Sequence, residues 1–280
     1  MSSLVVDCAV NDVFPFMLTR LNIDGSATTP DQPSVRFTGG KNISYGERVQ
    51  VYRGKLHHGE DTVTDAAVKF DLYNSCREDL VRESALYEEH AKTLQGTVVP
   101  TFYGIYHGIV DERPITCLVL EDCGDPIETW LHDASVEFSF KVAQHLMKLH
   151  SVGLQHNNIS ETNIVVKNGE PRLIDFSNAT PHICGRKMEI VCGAPRPKVN
   201  AFACKELHNF ASRQGIWEAT DIFYYGAVVP KRYVTSAEYL LDLTPPHLIK
   251  TAKGRERILR EASEIMSRLG IAKEKMTPEV

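Results

Sequence analysis

Between Tyr45 and Glu121 the chain sets four short β-rich runs around a single helical segment, and that pattern constrains the fold more than any other feature. The runs ERVQVYRGKL, TDAAVKF, VVPTFYGIYHG and ITCLVLE are dense in β-branched and aromatic residues. The helical segment, CREDLVRESALYEEHAKTL, repeats Leu80, Tyr87, Ala91 and Leu94 along one stripe. Upstream, DGSATTPDQPS and TGGKN are turn formers, so the first forty-odd residues read as an irregular lead-in with at most one strand. After EDCGDP the character turns helical. EFSFKVAQHLMKLH places Phe138, Val142, Leu146 and Leu149 on one face, and NAFACKELHNFASRQG reads as a helix with Asn200 as N-cap and Gly215 beyond its end. GRERILREASEIMSRLG reads as a final amphipathic helix. Between them, NIVVK and PRLIDF flank Asn168-Gly169, a hairpin turn signal. The expectation is an α+β chain: residues 1–122 β-rich with one helix, residues 123–280 mainly helical, and a ligand cleft between the two.

A net charge of −5 gives no electrostatic reason to expect nucleic acid or an anionic membrane as partner. No segment is apolar for long enough to span a bilayer, and MSSLVVDCAVND lacks the basic and apolar regions of a secretory leader, so the expected compartment is the cytoplasm. Seven cysteines without framework spacing fit reduced thiols. His182, Cys184, Cys192, Cys204 and His208 are zinc-ligand types, but their spacing matches no common zinc module, and incidental side chains are the simpler reading.

Two charges sit where apolar residues belong. Lys69 ends the apolar run of DAAVKF, and Glu83 shares the apolar face of the following helix. Each is expensive alone, and a Lys69–Glu83 pair that aims the ammonium at a phosphate accounts for both. Asp175 ends the apolar strand PRLID, and Asn163 precedes the hairpin that delivers it. An amide oxygen and a carboxylate suit a hard cation such as Mg2+. His156 reads as a structural histidine bonded to neighbouring backbone.

Val-Tyr-Arg-Gly (51–54), Ala-Val-Lys (67–69), Glu83, Leu-Glu-Asp-Cys (120–123), His156-x-Asn158-x4-Asn163 and Asp175-Phe176-Ser177 occur in the order and approximate spacing of the protein-kinase-like superfamily, which the chain resembles from about Tyr45 to Ser177. LQGTVVPTFYG and a His-x-Cys after Asp-Phe-Ser resemble the fungal protein-kinase-like domain proteins in particular. The resemblance implies a bilobal kinase-like fold and an ATP- and Mg2+-dependent phosphotransferase acting on a hydroxyl of a protein or small molecule. By the same resemblance Lys69 contacts the phosphates, Glu83 holds it, and Asn163 and Asp175 bind the metal. Gly46, Val51, Ala67, Glu121 and Cys123 would then surround the nucleotide.

The chain also departs from that pattern. Gly46 is the single glycine of the phosphate-covering loop, with Ser44 and Val49 at the other glycine positions. Asn158 stands where the family has its catalytic aspartate, and an amide cannot take the acceptor's proton as an anion. Either the base was lost naturally, giving a pseudokinase that binds nucleotide or acts as a scaffold, or an isosteric Asp→Asn change mutes an active enzyme. Ser160 replaces the usual Lys or Arg, and Ala194-Pro195 has no glutamate after it. ATDIFYYGAVV echoes a kinase helix.

Overall fold

The β-rich runs close on themselves. The structure is a computed structural model that describes residues 3–10, 14–27, 34–45, 48–59, 61–218 and 220–268. Its strands β1 (Ser3–Asp7), β2 (Phe16–Arg20), β3 (Val35–Tyr45), β4 (Gln50–His58) and β5 (Thr62–Asp71) precede helix α1 (Arg77–Glu89). Strands β6 (Phe102–Val110) and β7 (Arg113–Glu121) follow. The seven form a closed barrel in the order β1-β2-β6-β7-β5-β4-β3, antiparallel throughout except for the parallel pair β1–β3. Closure leaves the ladder without an open edge.

Alternation along β5 decides where its side chains go. Ala66, Val68 and Phe70 enter the barrel core with Phe37, Leu56, Tyr106 and Val119. Ala67 and Lys69 alternate to the other face and line a cavity there. Gly54 of β4 is required by close approach rather than by a ligand. A Cβ on it would stand 2.5 Å from the Thr38 carbonyl oxygen and 2.8 Å from the Phe37 ring.

Beyond the barrel come β8 (Asp125–Pro126), α2 (Val136–Ser151), β9 (Leu154–Gln155), β10 (Ile164–Lys167), β11 (Glu170–Leu173), β12 (Thr180–Pro181), α3 (Val199–Phe202) and α4 (Lys205–Arg213). Ser135 starts α2 by accepting from the Phe138 amide at 3.1 Å, and Val142, Leu146 and Leu149 form its buried face. The β10–β11 hairpin turns on Asn168 and Gly169, both at positive φ, and β8 adds a third strand beside β10. Gly124 leads into β8 at φ +90°, where a Cβ would come 2.1 Å from the Val166 carbonyl oxygen. Only glycine fits there.

His145 on α2 gives this region an acid sensitivity. Burial, reinforced by Lys148 and Arg172, pushes its pKa down to about 4, and its Nδ1 is buried with no hydrogen-bond partner among the described residues. The folded chain therefore binds this proton less readily than the unfolded chain. Stability is full above the unfolded value of about 6.5 and falls as the pH drops towards 4, by about 2 kcal/mol from this residue. Urea midpoints measured across that window should show the loss, and His145→Gln should flatten it.

The chain divides into two compact units, Met1–Glu189 with Val199–Gln214, and Ile190–Lys198 with Gly215–Val280. The second contains β13 (Asp221–Tyr224), β14 (Ala227–Pro230), α5 (Ala237–Asp242) and α6 (Ala252–Arg268). Its own core gathers Ile222, Tyr224, Val229, Val234, Leu240, Ala262 and Met266.

This architecture corrects the expected bilobal kinase-like fold with a mainly helical second half. Among the described residues a closed seven-stranded barrel dominates, and strand content about equals that of the six α-helices. Two local misreadings account for much of the difference. The lead-in contributes three barrel strands: SLVVD and FMLTR both precede DGSATTPDQPS and alternate buried with more exposed residues, and β3 runs through TGGKN itself. In the segment ATDIFYYGAVV, which resembles a kinase helix, the residues from Asp221 onwards form the β13–β14 hairpin, which turns on Tyr225 and Gly226, both at positive φ. The single helix expected over NAFACKELHNFASRQG is two. Ala203 at φ +62° breaks it, so Asn200 lies inside α3, and Cys204 takes the N-cap position of α4.

Candidate functional site

Lys69 projects from the outer face of β5 towards α1 and the segment after β11. Its Nζ donates to Glu83 Oε2 and to Asp175 Oδ1, both at 2.8 Å. Glu83 is 1% exposed, and its second oxygen accepts the Phe176 amide at 3.2 Å. One carboxylate thus ties β5, α1 and the Asp175–Ser177 segment together. Burial works against the Lys69 ammonium, but the carboxylates of Glu83 and Asp175 outweigh it and push its pKa up. Burial likewise opposes the Asp175 charge, and Lys69 overcomes it, holding that carboxyl below its ordinary value. Lys69 and Asp175 therefore hold each other in their charged forms.

Asp175 sits at φ +66°, a left-handed conformation that costs a non-glycine residue on the order of 1 kcal/mol. The strain is held in place by its neighbours. The Phe176 ring packs against Tyr87 at 4.9 Å and His156 at 5.4 Å. His156 is fully buried, burial lowers its pKa, and its Nε2–H donates to the Ile174 carbonyl at 3.0 Å, fixing the backbone just before Asp175.

Lys69, Glu83 and Asp175 stand where two cavities of about 470 and 540 Å³ share a wall. The larger is lined on its apolar side by Val51, Ala67, Leu120, Val165 and Ile174, and reaches Glu121, Cys123 and Asn163. That volume is within the range of about 300–1,000 Å³ that accommodates small ligands. The Glu121 carboxylate is turned away, accepting the Thr101 amide and hydroxyl at 3.1 and 2.9 Å. Burial pushes the Cys123 thiol up to about 12, so it stays protonated and serves as an apolar surface. Asn163 is 6% exposed. Its Nδ2 donates to the Asn158 carbonyl at 2.9 Å, and its own carbonyl accepts the Ile174 amide at 3.0 Å, so its side-chain oxygen is held beside the segment that carries Asp175. An amide oxygen and a carboxylate on one cavity wall fit a hard divalent cation that retains several waters. The apolar lining beside them could take an apolar or aromatic group. Lys69, Asn163 and Asp175 are thus the residues that could hold an anion and a hard cation here.

The structure thus brings together Lys69, Glu83, Asn163, Asp175, Val51, Ala67, Glu121 and Cys123 around one cavity system. Asn158 is half-buried, is held through its backbone by Asn163, and does not line either cavity. Gly46 lies outside the described residues. Of the five zinc-type residues, His182, Cys184 and Cys204 come together, joined by His150. Cys192 belongs to the second unit, and the His208 ring packs at 5.9 Å from Phe202.

Three residues of this region are not singled out by the sequence reading. Arg53 donates to the Gly124 carbonyl at 2.6 Å and to Asp125 at 2.8 Å, and its Nε lies 3.0 Å from Asp122, so it clamps the cavity's far rim. Asp71 is 0% exposed and accepts amides of Tyr73, Ser75 and Cys76 ahead of α1. Glu206 accepts the amides of His156 and Asn157. For Asp71 a signal was present: a charged residue closing the apolar run AVKF and followed within five residues by the start of a helix. Comparison of the chain with protein-family models and with curated proteins returns no match to either.

Proposed function

We propose that the barrel-containing unit binds Mg-ATP in the cavity beside Lys69 and transfers a phosphoryl group to a hydroxyl, with transfer muted by Asn158. The observation that carries the reading is Lys69 held by two carboxylates on the wall of a cavity that also presents Asn163. Lys69 would neutralise phosphate charge, Glu83 would hold it, and Asp175 with Asn163 would hold the metal, whose chemistry when bound is to offset the charge of the phosphoryl oxygens. The chain's own contribution is positioning. Residue 158 would orient the acceptor hydroxyl, but as an amide it leaves the proton without an anionic base. The acceptor belongs to a protein or a small molecule. Neither the charge balance nor the site favours nucleic acid or a membrane. Among the described residues no helix is long and apolar enough to cross a membrane. All seven cysteines are free, which suits the reducing cytoplasm where ATP is abundant.

The Asn158 amide also favours a second reading, a nucleotide-binding module without turnover. One experiment addresses both. At a nucleotide concentration about a hundredfold over Kd, Mg-ATP should stabilise the chain by about 2.7 kcal/mol in a thermal-shift measurement, and EDTA should remove most of the shift. Asn158→Asp should raise ADP formation by about 10²–10⁴-fold with an acceptor present. A shift without that increase supports the binding module. No Mg-ATP-dependent shift in a folded sample defeats both readings.

A further inference from the structure

We propose that His150, His182, Cys184 and Cys204 bind one zinc ion that pins the segment after Ser177 to helices α2 and α4. The four side chains each offer one ligand atom, and these atoms all lie within 4.8 Å of one another. All four belong to the barrel-containing unit, yet they come from three separate stretches of chain. His150 is in the last turn of α2 and is 3% exposed. His182 follows β12, whose pairing with β9 and whose His182 amide bond to the Gly153 carbonyl at 2.8 Å bring it over the end of α2. Cys204 arrives because Ala203, at φ +62°, breaks the chain between α3 and α4.

The arrangement is already prepared for a metal at His150. Its Nε2 lies 2.5 Å from Glu206 Oε2. An ionised carboxylate can only accept, so Nε2 carries the proton and, in the neutral ring, Nδ1 is left with its lone pair. That Nδ1 is 3.5 Å from the Cys204 Sγ. Bonds of about 2.0 Å to nitrogen and 2.3 Å to sulfur at tetrahedral angles place N and S about 3.5 Å apart, so this edge of a zinc site is already at its bonded length. Glu206 is itself fixed by the His156 and Asn157 amides, and a carboxylate that orients a ligating imidazole from behind is the usual outer partner of a metal-bound histidine.

A second observation points the same way. The Nε2 of His182 is buried and has no hydrogen-bond partner among the described residues, and its ring stands edge-on to His150 with centroids 4.9 Å apart. A buried ring nitrogen left unpaired is costly unless something bonds it. Cys184 and Cys204 are both free thiols. Two soft thiolates and two imidazoles in a compact group select zinc over magnesium or calcium, and a full set of four protein ligands makes the ion structural rather than catalytic. The longest separations need close by only about an ångström to reach tetrahedral edges. Through Glu206 the ion would also brace the 156–158 loop. This inference does not depend on the nucleotide reading.

The test is metal analysis of the whole chain purified under reducing conditions from zinc-supplemented cells. About one zinc per chain is expected, and cobalt(II) put in its place should give tetrahedral visible bands with thiolate charge transfer. Cys184→Ser and Cys204→Ser should each lower zinc content at least roughly tenfold, Glu206→Gln should weaken zinc affinity by about 10–100-fold, and Cys192→Ser and His208→Gln should leave it unchanged. A folded wild-type protein with only trace zinc and no cobalt spectrum overturns the proposal. So does a Cys184–Cys204 disulfide in freshly purified protein, or zinc content indifferent to Cys204→Ser.

Discussion

Lys69→Met should lower the stability of the folded chain by about 3 kcal/mol and abolish its Mg-ATP-dependent thermal shift. Removing one partner of a buried ion pair costs about 3–5 kcal/mol because the other charge stays behind, and the lower end applies here because Lys69 keeps 21% of its side chain exposed. The stranded group is Glu83, which has almost no contact with solvent. In the variant its carboxylate is left buried without the ammonium that offset it. Urea midpoints of the variant and the wild type at pH 7 measure the loss directly. Glu83→Gln added to Lys69→Met should recover part of the loss, since the amide can still accept from the Phe176 amide while carrying no charge. A double-mutant coupling near zero, or a Lys69→Met cost below about 1 kcal/mol, would show that the three charges do not act as a unit.

Asp71→Ala should cost about 3–4 kcal/mol, although no ligand role attaches to this residue. Its carboxylate is wholly buried and accepts the Tyr73, Ser75 and Cys76 amides at 3.2, 3.1 and 2.8 Å. Cys76, the N-cap of α1, makes no side-chain cap bond, and Asp71 instead ties down the backbone that leads into the helix, up to the Cys76 amide itself. Truncation leaves three N–H groups without their acceptor, and each unsatisfied buried group costs about 1–3 kcal/mol, reduced where water can enter. Asp71→Asn keeps one strong acceptor and should cost about half as much. Because α1 carries Glu83, the alanine variant should also weaken Mg-ATP binding, whereas a surface change such as Glu89→Ala should move neither stability nor binding. Chemical denaturation together with nucleotide titration of the three variants checks the order.

The charges of the site are legible in the sequence because each violates the local apolar pattern. Lys69 ends a buried strand, Glu83 sits on a helix's apolar stripe, and Asp175 closes a hairpin strand. A charge that burial makes expensive must find a partner, and that rule works on a single line of sequence. The Asn168-Gly169 turn was legible for a similar reason, since its backbone needs positive φ at both residues.

Barrel closure was not legible. It rests on β1 lying parallel to β3 and on β2 reaching β6, pairings between distant segments that alternation alone does not specify. The break at Ala203 and the gathering of His150, His182, Cys184 and Cys204 belong to the same class. The chain's own pattern determined which residues could not remain alone in an apolar setting and where short hairpins turn. Folding in three dimensions decided which distant partners they met, because strand pairing and ligand clustering depend on separations in space that sequence spacing does not encode.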